Sequence, residues 1–394
     1  MKMVNKMDNF IDINYKSINK FGEELCGDKV EFINNDGCCI IVLSDGLGSG
    51  VKANILATMT TKIAVTMLKN GATIDETIET ILNTLPECKV RKLAYSTFTI
   101  IKIDKENNAY IIEYDNPPYF YYSNKRSITM EKIERKIGSK KVYESNIQLE
   151  LGDTICVVSD GAIHAGIGQM LNLGWAWDEI NDYLKNLNDI SSASNIINGN
   201  FIGVCNNLYN NKPGDDTTIL TIKVRKPEYV DLFIGPPSNK SLDIFLVEKM
   251  KEPDTRKIIC GGTTALIAER ELGRTLEVDI DSITKDVPPI AYMEGFDLVT
   301  EGVLTLGKTL ENIKKYNQNC YESTIENNGY DGCSLLTRIL TEQSTHINFY
   351  VGKAVNPAHQ NPNFPAGFNI KLKIIYDLIE ELKVAGKEVM VTYL

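Results

Sequence analysis

The stretch Cys39-Ile40-Ile41-Val42-Leu43-Ser44-Asp45-Gly46 is an apolar run that ends on serine, an acid and a glycine. The pattern returns far along the chain as Ile155-Cys156-Val157-Val158-Ser159-Asp160-Gly161. A short apolar run bounded by a turn signal reads as a strand, so each acid stands where a strand stops. Two further acids sit at strand starts. Asp28 follows Gly27 just ahead of a strand over Val30–Ile33, and Asp215 and Asp216 follow Pro213-Gly214 just ahead of one over Thr217–Val224. For any single pair, Asp-Gly making a turn after a strand is the plainer reading. Repetition of the pattern argues for more.

If these strands are neighbours, the acids converge. Carboxylates at close range raise one another's pKa and stay ionised only where cations compensate them. Every candidate ligand is an oxygen, and none of the three histidines has metal-ligand spacing. Hard divalent ions, Mg2+ or Mn2+, suit such a set better than zinc.

Outward from these motifs, residues 1–226 read as short strands with helices gathered in two blocks. The helices fall over 51–69, from Thr73 with Glu76 as a capping box to before Pro86, and over 175–187 and 194–208. Strands Val30–Ile33 and Cys38–Ser44 are joined by an Asn34-Asn35-Asp36-Gly37 turn. Antiparallel sheets flanked by helices are expected. Lys226-Pro227-Glu228 is the expected boundary, and residues 227–394 alternate strand and helix as a mostly parallel three-layer α/β domain does. The fold class is therefore α+β followed by a separate α/β domain.

Composition bounds the function. The 394 residues carry 42 Lys and Arg against 52 Asp and Glu, for a net charge of −10. No basic run is present to serve nucleic acid or an anionic membrane. The nine cysteines are scattered without a Cys-x-x-Cys, and no stretch is long enough to span a bilayer. A reducing cytoplasm is the expected compartment.

Taken together, Cys26-Gly27-Asp28, Ser44–Gly50, Leu151–Gly161 and Gly214–Thr218 resemble the metal-dependent protein phosphatase family. The likeness is to the bacterial branch typified by stage II sporulation protein E, over roughly residues 8–225. It implies a β-sandwich flanked by helices with two metal ions, Mn2+ or Mg2+, at one end. Carried across, Asp45 would bridge the ions and the Gly46 carbonyl would ligate one. Asp160 and Asp215 would complete one ion's shell, and Asp28 would position the other through water. Asp216 stands where many relatives carry Asn and is a secondary candidate. Catalysis would rest on Asp45 and Asp160, with a water between the ions attacking phosphorus in line. Leu47 replaces the histidine that eukaryotic relatives carry after Asp-Gly. Asp115-Asn116 replaces part of the Gly-His that precedes the branch's Pro-Pro turn, here Pro117-Pro118.

The resemblance further implies a phosphoserine/phosphothreonine phosphatase acting on a small regulatory phosphoprotein of anti-anti-sigma type. Residues 227–394 are expected to regulate it or sense a ligand. A second copy of the chain and a small ligand on that domain are further partners left open. The rival reading is a phosphatase-like module without turnover, its main activity or ligand site lying in the C-terminal domain. Outside these motifs, His164 just beyond Asp160 could approach the site, although an ordinary surface or core residue is the plainer reading. Gly261-Gly262-Thr263-Thr264 opens a helix and could cradle an anion, although a tight turn is the plainer reading. His346 and His359 lie on or beside a long loop that names no chemistry.

Overall fold

The structure, a computed structural model, describes residues 9–35, 38–84, 96–138, 140–190, 193–284, 286–318, 329–354 and 370–394. The Asp36-Gly37 turn, Pro86 and the His359 loop lie outside the described residues. Two compact units emerge, Ile11–Arg225 and Lys226–Leu394, the second also taking in Phe10.

The first unit runs β1 (Phe10–Ile18), β2 (Asp28–Asn35), β3 (Cys38–Gly46), α1 (Gly50–Lys69), α2 (Ile74–Thr84), β4 (Ser96–Ile103) and β5 (Asn108–Tyr114). It continues with β6 (Phe120–Ser123), β7 (Arg126–Ser127), β8 (Ile133–Ile137), β9 (Lys140–Gln148), β10 (Thr154–Val158) and the single turn α3 (Asp160–Ile163). The helices α4 (Trp177–Ile190) and α5 (Ser194–Leu208) lead to β11 (Thr217–Arg225). One sheet has the order β1-β11-β10-β6-β7 and the other β2-β3-β4-β5-β9-β8.

The two apolar runs explain how the sheets stack. Successive side chains of a strand point to opposite faces. Ile41 and Leu43 of β3 meet Ile155 and Val157 of β10 in a core between the sheets. Ile40 and Val42 face outward onto α1 and α2, while Cys156 and Val158 face α4 and α5. Both faces of these strands are buried, so the runs are continuous rather than alternating. The result is a sandwich of two sheets with helices outside each, as the resemblance implied. Thr73 and Glu76 form the reciprocal capping box that starts α2: the Glu76 amide donates to Thr73 Oγ1 at 3.2 Å, and the Thr73 amide donates to Glu76 Oε2 at 2.8 Å.

The second unit contains β12 (Tyr229–Ile234), α6 (Asp243–Lys251), β13 (Arg256–Cys260), α7 (Gly262–Leu272), β14 (Glu277–Asp279), β15 (Ile290–Tyr292) and β16 (Leu298–Thr300). Then follow α8 (Val303–Gln318), α9 (Gly332–Thr341), β17 (His346–Val351), α10 (Ile370–Val384) and β18 (Glu388–Tyr393). The sheet order is β14-β15-β16-β13-β12-β17-β18. Its five strands from β16 to β18 are parallel, while β14 and β15 extend one edge antiparallel. In chain order the parallel strands read 3-2-1-4-5, a doubly wound arrangement. Helices α8, α9 and α10 cover one face, and α6 and α7 the other.

Candidate metal centre

The antiparallel pairing of β2 with β3 sets Asp28 directly opposite Asp45. Residues opposite one another in such a ladder have Cβ atoms roughly 5 Å apart, so the two carboxyl groups share one pocket. From the other sheet, β10 ends at Val158 and the chain turns into α3 at Asp160, while Asp215 and Asp216 precede its neighbour β11. The five acids thus come from four strand ends and two sheets.

Glycines permit this convergence. A Cβ on Gly46 would stand 2.0 Å from the Ala53 carbonyl oxygen, and one on Gly161 would stand 2.0 Å from the Asp216 carbonyl oxygen. Gly27 is similarly pressed, its absent side chain 2.8 Å from Asp216 Oδ2. The Gly46 amide donates to the Gly27 carbonyl at 3.1 Å, which ties the two acid-bearing turns together.

Electrostatics shows the strain of the cluster. Burial pushes the Asp45 carboxyl far up, and the charges of Asp28, Asp160 and Asp215 add to the shift. Burial also raises Asp28. The Ser159 and Thr218 hydroxyls partly offset the effect, and Asp216 and Asp160 reinforce it. Asp215 rises through burial and then the Asp160 charge, tempered by Lys20. Neither Asp28 oxygen has a hydrogen bond of ordinary geometry, and Asp216 Oδ2 has none either, though all three are buried. Asp216 Oδ1 accepts from the Lys20 amide at 3.0 Å. Buried carboxylate oxygens without donors are costly. A divalent cation supplies the missing partner, so this donor set fits a hard metal ion.

The structure brings together Asp28, Asp45, Gly46, Asp160, Asp215 and Asp216. It also adds His164, which the sequence offers only as the lesser reading beside a plain surface or core residue. One ligand atom each from Asp160, His164 and Asp215 lies within a 4.8 Å group. His164 Nδ1 is 3.9 Å from Asp160 Oδ2. The signal was the i, i+4 spacing from Asp160, which one helical turn converts into proximity. Asn116 carries a second overlooked role. Its side-chain amide donates to the Val158 carbonyl at 3.1 Å and to Thr99 Oγ1 at 3.0 Å, joining β10 to β4 across the sandwich. Asp115 takes a φ of 52°, a left-handed conformation that aspartate tolerates better than most side chains.

Residues 35–225 match the family model described as Stage II sporulation protein E (SpoIIE). No curated protein matches the chain. Among solved structures, the phosphatase domain of the cell fate determinant SpoIIE from Bacillus subtilis is 19% identical, with a TM-score of 0.43, over 56% of this chain and 94% of that one. The RsbU and RsbW domains of a Mycobacterium tuberculosis protein are 16% identical, with a TM-score of 0.46, over 61% of this chain and 68% of that one. RsbX in complex with magnesium is 19% identical, with a TM-score of 0.40, over 54% of this chain and 95% of that one. With acids gathered from four strand ends of a helix-flanked sandwich, residues 35–225 are a domain of the stage II sporulation protein E family of phosphatases.

Proposed function

We propose that the first unit is a metal-dependent phosphatase that hydrolyses phosphoserine or phosphothreonine in a small regulatory protein of anti-anti-sigma type. The observation that supports this reading best is the set of buried carboxylate oxygens on Asp28, and Oδ2 of Asp216, that lack a hydrogen bond of ordinary geometry beside Asp45. Two divalent ions, Mn2+ or Mg2+, would be held by Asp28, Asp45, the Gly46 carbonyl, Asp160 and Asp215, with Asp216 assisting. When bound, they supply an activated water and neutralise the charge of the phosphoester.

The chain's own part is to hold these ligands before any ion arrives. Asp28 and Asp45 are fixed by ladder pairing, and Asp160 and Asp215 by the strand ends from which they project. Such preorganisation spares the reaction the work of gathering charge. His164, half exposed beside Asp160, is placed to give a proton to a departing serine or threonine oxygen.

The second unit is proposed to regulate the first or to sense a ligand. Seven free cysteines among the described residues suit a reducing cytoplasm, and no described helix is long and apolar enough to cross a membrane. The test is hydrolysis of para-nitrophenyl phosphate and of a phosphoserine protein with and without Mn2+, repeated on Asp45→Asn and Asp160→Asn. Turnover that needs metal and disappears in both variants supports the reading. Metal-independent turnover, or turnover unchanged by both substitutions, overturns it.

A further inference from the structure

We propose that the second unit binds a nucleotide at the carboxyl ends of β12, β13 and β16. This deepens the ligand-sensing reading of that unit and is independent of the phosphatase reading.

In a doubly wound sheet the helices leave opposite faces on either side of the first strand, so a crevice opens beyond the strands' carboxyl ends. Here glycine follows each of three adjacent strands: Gly235 after β12, Gly261 and Gly262 after β13, and Gly302 shortly after β16. Their backbones approach closely. A side chain on Gly302 would meet Gly261 Cα at 3.5 Å, and one on Gly261 would meet the Gly235 nitrogen at 3.7 Å. Gly235 and Gly261 also hold φ values of 73° and 135°. Three strand ends are thus bared to backbone.

Polar groups converge on this bare floor. Helix α7 begins at Gly262 with no side-chain cap and no acidic residue in its first turn. Its leading N–H groups therefore lack intrahelical acceptors and carry the positive end of the helix dipole. Thr264 in that turn is fully buried, and its Oγ1 has no hydrogen-bond partner. That oxygen lies 3.7 Å from where a Gly261 side chain would begin, so it is aimed into the bared space. A Gly235 side chain would stand 2.8 Å from the Lys371 ammonium, which otherwise donates to the Gly352 carbonyl. N–H groups, a buried hydroxyl and an ammonium together suit a phosphate.

One acid distinguishes a nucleotide from a bare anion. Glu301, between Thr300 and Gly302, has a buried Oε2 without a partner. A carboxylate there repels inorganic phosphate but accepts hydrogen bonds from hydroxyl groups, as sugar hydroxyls would offer.

The experiment uses the full chain in EDTA, so that the acid cluster of the first unit cannot engage phosphate through metal. Thermal unfolding and calorimetric titration are followed with inorganic phosphate, AMP, GMP and NAD+. At least one nucleotide should raise the melting temperature, and inorganic phosphate should bind at least tenfold more weakly. Thr264→Val and Lys371→Met should each weaken the nucleotide about tenfold while ligand-free melting shows that both variants still fold, and Asp45→Asn should leave nucleotide binding intact. Absence of binding by all three nucleotides at millimolar concentration overturns the proposal. So does phosphate binding as tight as the nucleotide's, or binding that both Thr264→Val and Lys371→Met leave untouched.

Discussion

Asp28 and Asp45 face each other directly across the β2–β3 ladder, two acids in a register position where like charges repel. The metal-free protein therefore holds unfavourable energy at this point. Asp28→Asn relieves it, because an amide offers donors to neighbouring carboxylates. In EDTA the variant should melt several degrees higher than the parent, corresponding to about 1–3 kcal/mol. Stabilisation by Mn2+ should shrink at the same time. Differential scanning fluorimetry with and without Mn2+ measures both, and a lower melting temperature in EDTA contradicts the account.

Gly161 is the closest joint between the turn after β10 and the turn before β11. Its missing Cβ would lie 2.0 Å from the Asp216 carbonyl oxygen. Gly161→Ala must push one turn away from the other. Overpacking of this kind costs about 1–3 kcal/mol, and here it also displaces Asp160 from Asp215. Metal affinity should fall at least tenfold, which calorimetric titration with Mn2+ reads directly. Unchanged affinity would show that the glycine is not needed for the convergence.

His164 separates two substrates. A serine alkoxide needs a proton as it leaves, whereas para-nitrophenolate is a stable anion without one. His164→Gln should cut kcat on a phosphoserine protein on the order of 100-fold, the lower end for general acid–base catalysis, and alter hydrolysis of para-nitrophenyl phosphate far less. Equal losses on both substrates would assign His164 to metal or phosphate binding instead.

In the second unit, His346 stacks on Tyr229 with ring centroids 4.6 Å apart. Burial lowers its pKa, with Glu388 opposing the shift. The folded unit therefore binds a proton less readily than the unfolded chain. The stability this group contributes is present above the unfolded value of about 6.5 and is lost as pH falls through the depressed folded value. Amide exchange in β12 and β17, corrected for intrinsic rates, should accelerate between about pH 7 and pH 5. In His346→Gln that acceleration should vanish, and its persistence would move the cause to another group.

Much of the first unit is legible because its central strands are apolar on both faces and end on Asp-Gly. The Ile41/Leu43 and Ile40/Val42 alternation needs two cores, and both exist. Strand β1 escapes notice for a physical reason. It buries Asp12, paired with Arg225 at 3.1 Å, and Asn14, which accepts from Asn198 at 3.1 Å. Ile11, Ile13 and Tyr15 do alternate with Asp12, Asn14 and Lys16, but the polar face is buried against distant partners that local pattern does not carry. The Trp175–Leu187 helix instead begins at Trp177, with Trp175 ahead of it stacked on Phe201. At the site, the acids are visible as motifs, but their convergence depends on strand order, which local pattern does not carry. His164 is visible beside Asp160, but one histidine in a short turn resembles any other, so pattern alone ranks it low.

The acid cluster draws one member from residue 28 and others from residues 215 and 216, nearly the whole length of its unit. While the ribosome is still making this protein, the pocket has no closing side. Only when synthesis passes β11 can the last strand slot between β1 and β10 and bring its pair of acids into place. A truncated or half-made copy therefore carries the Asp45 and Asp160 motifs yet stays chemically silent. Any reactivity of this centre toward phosphoproteins is deferred until the unit is complete.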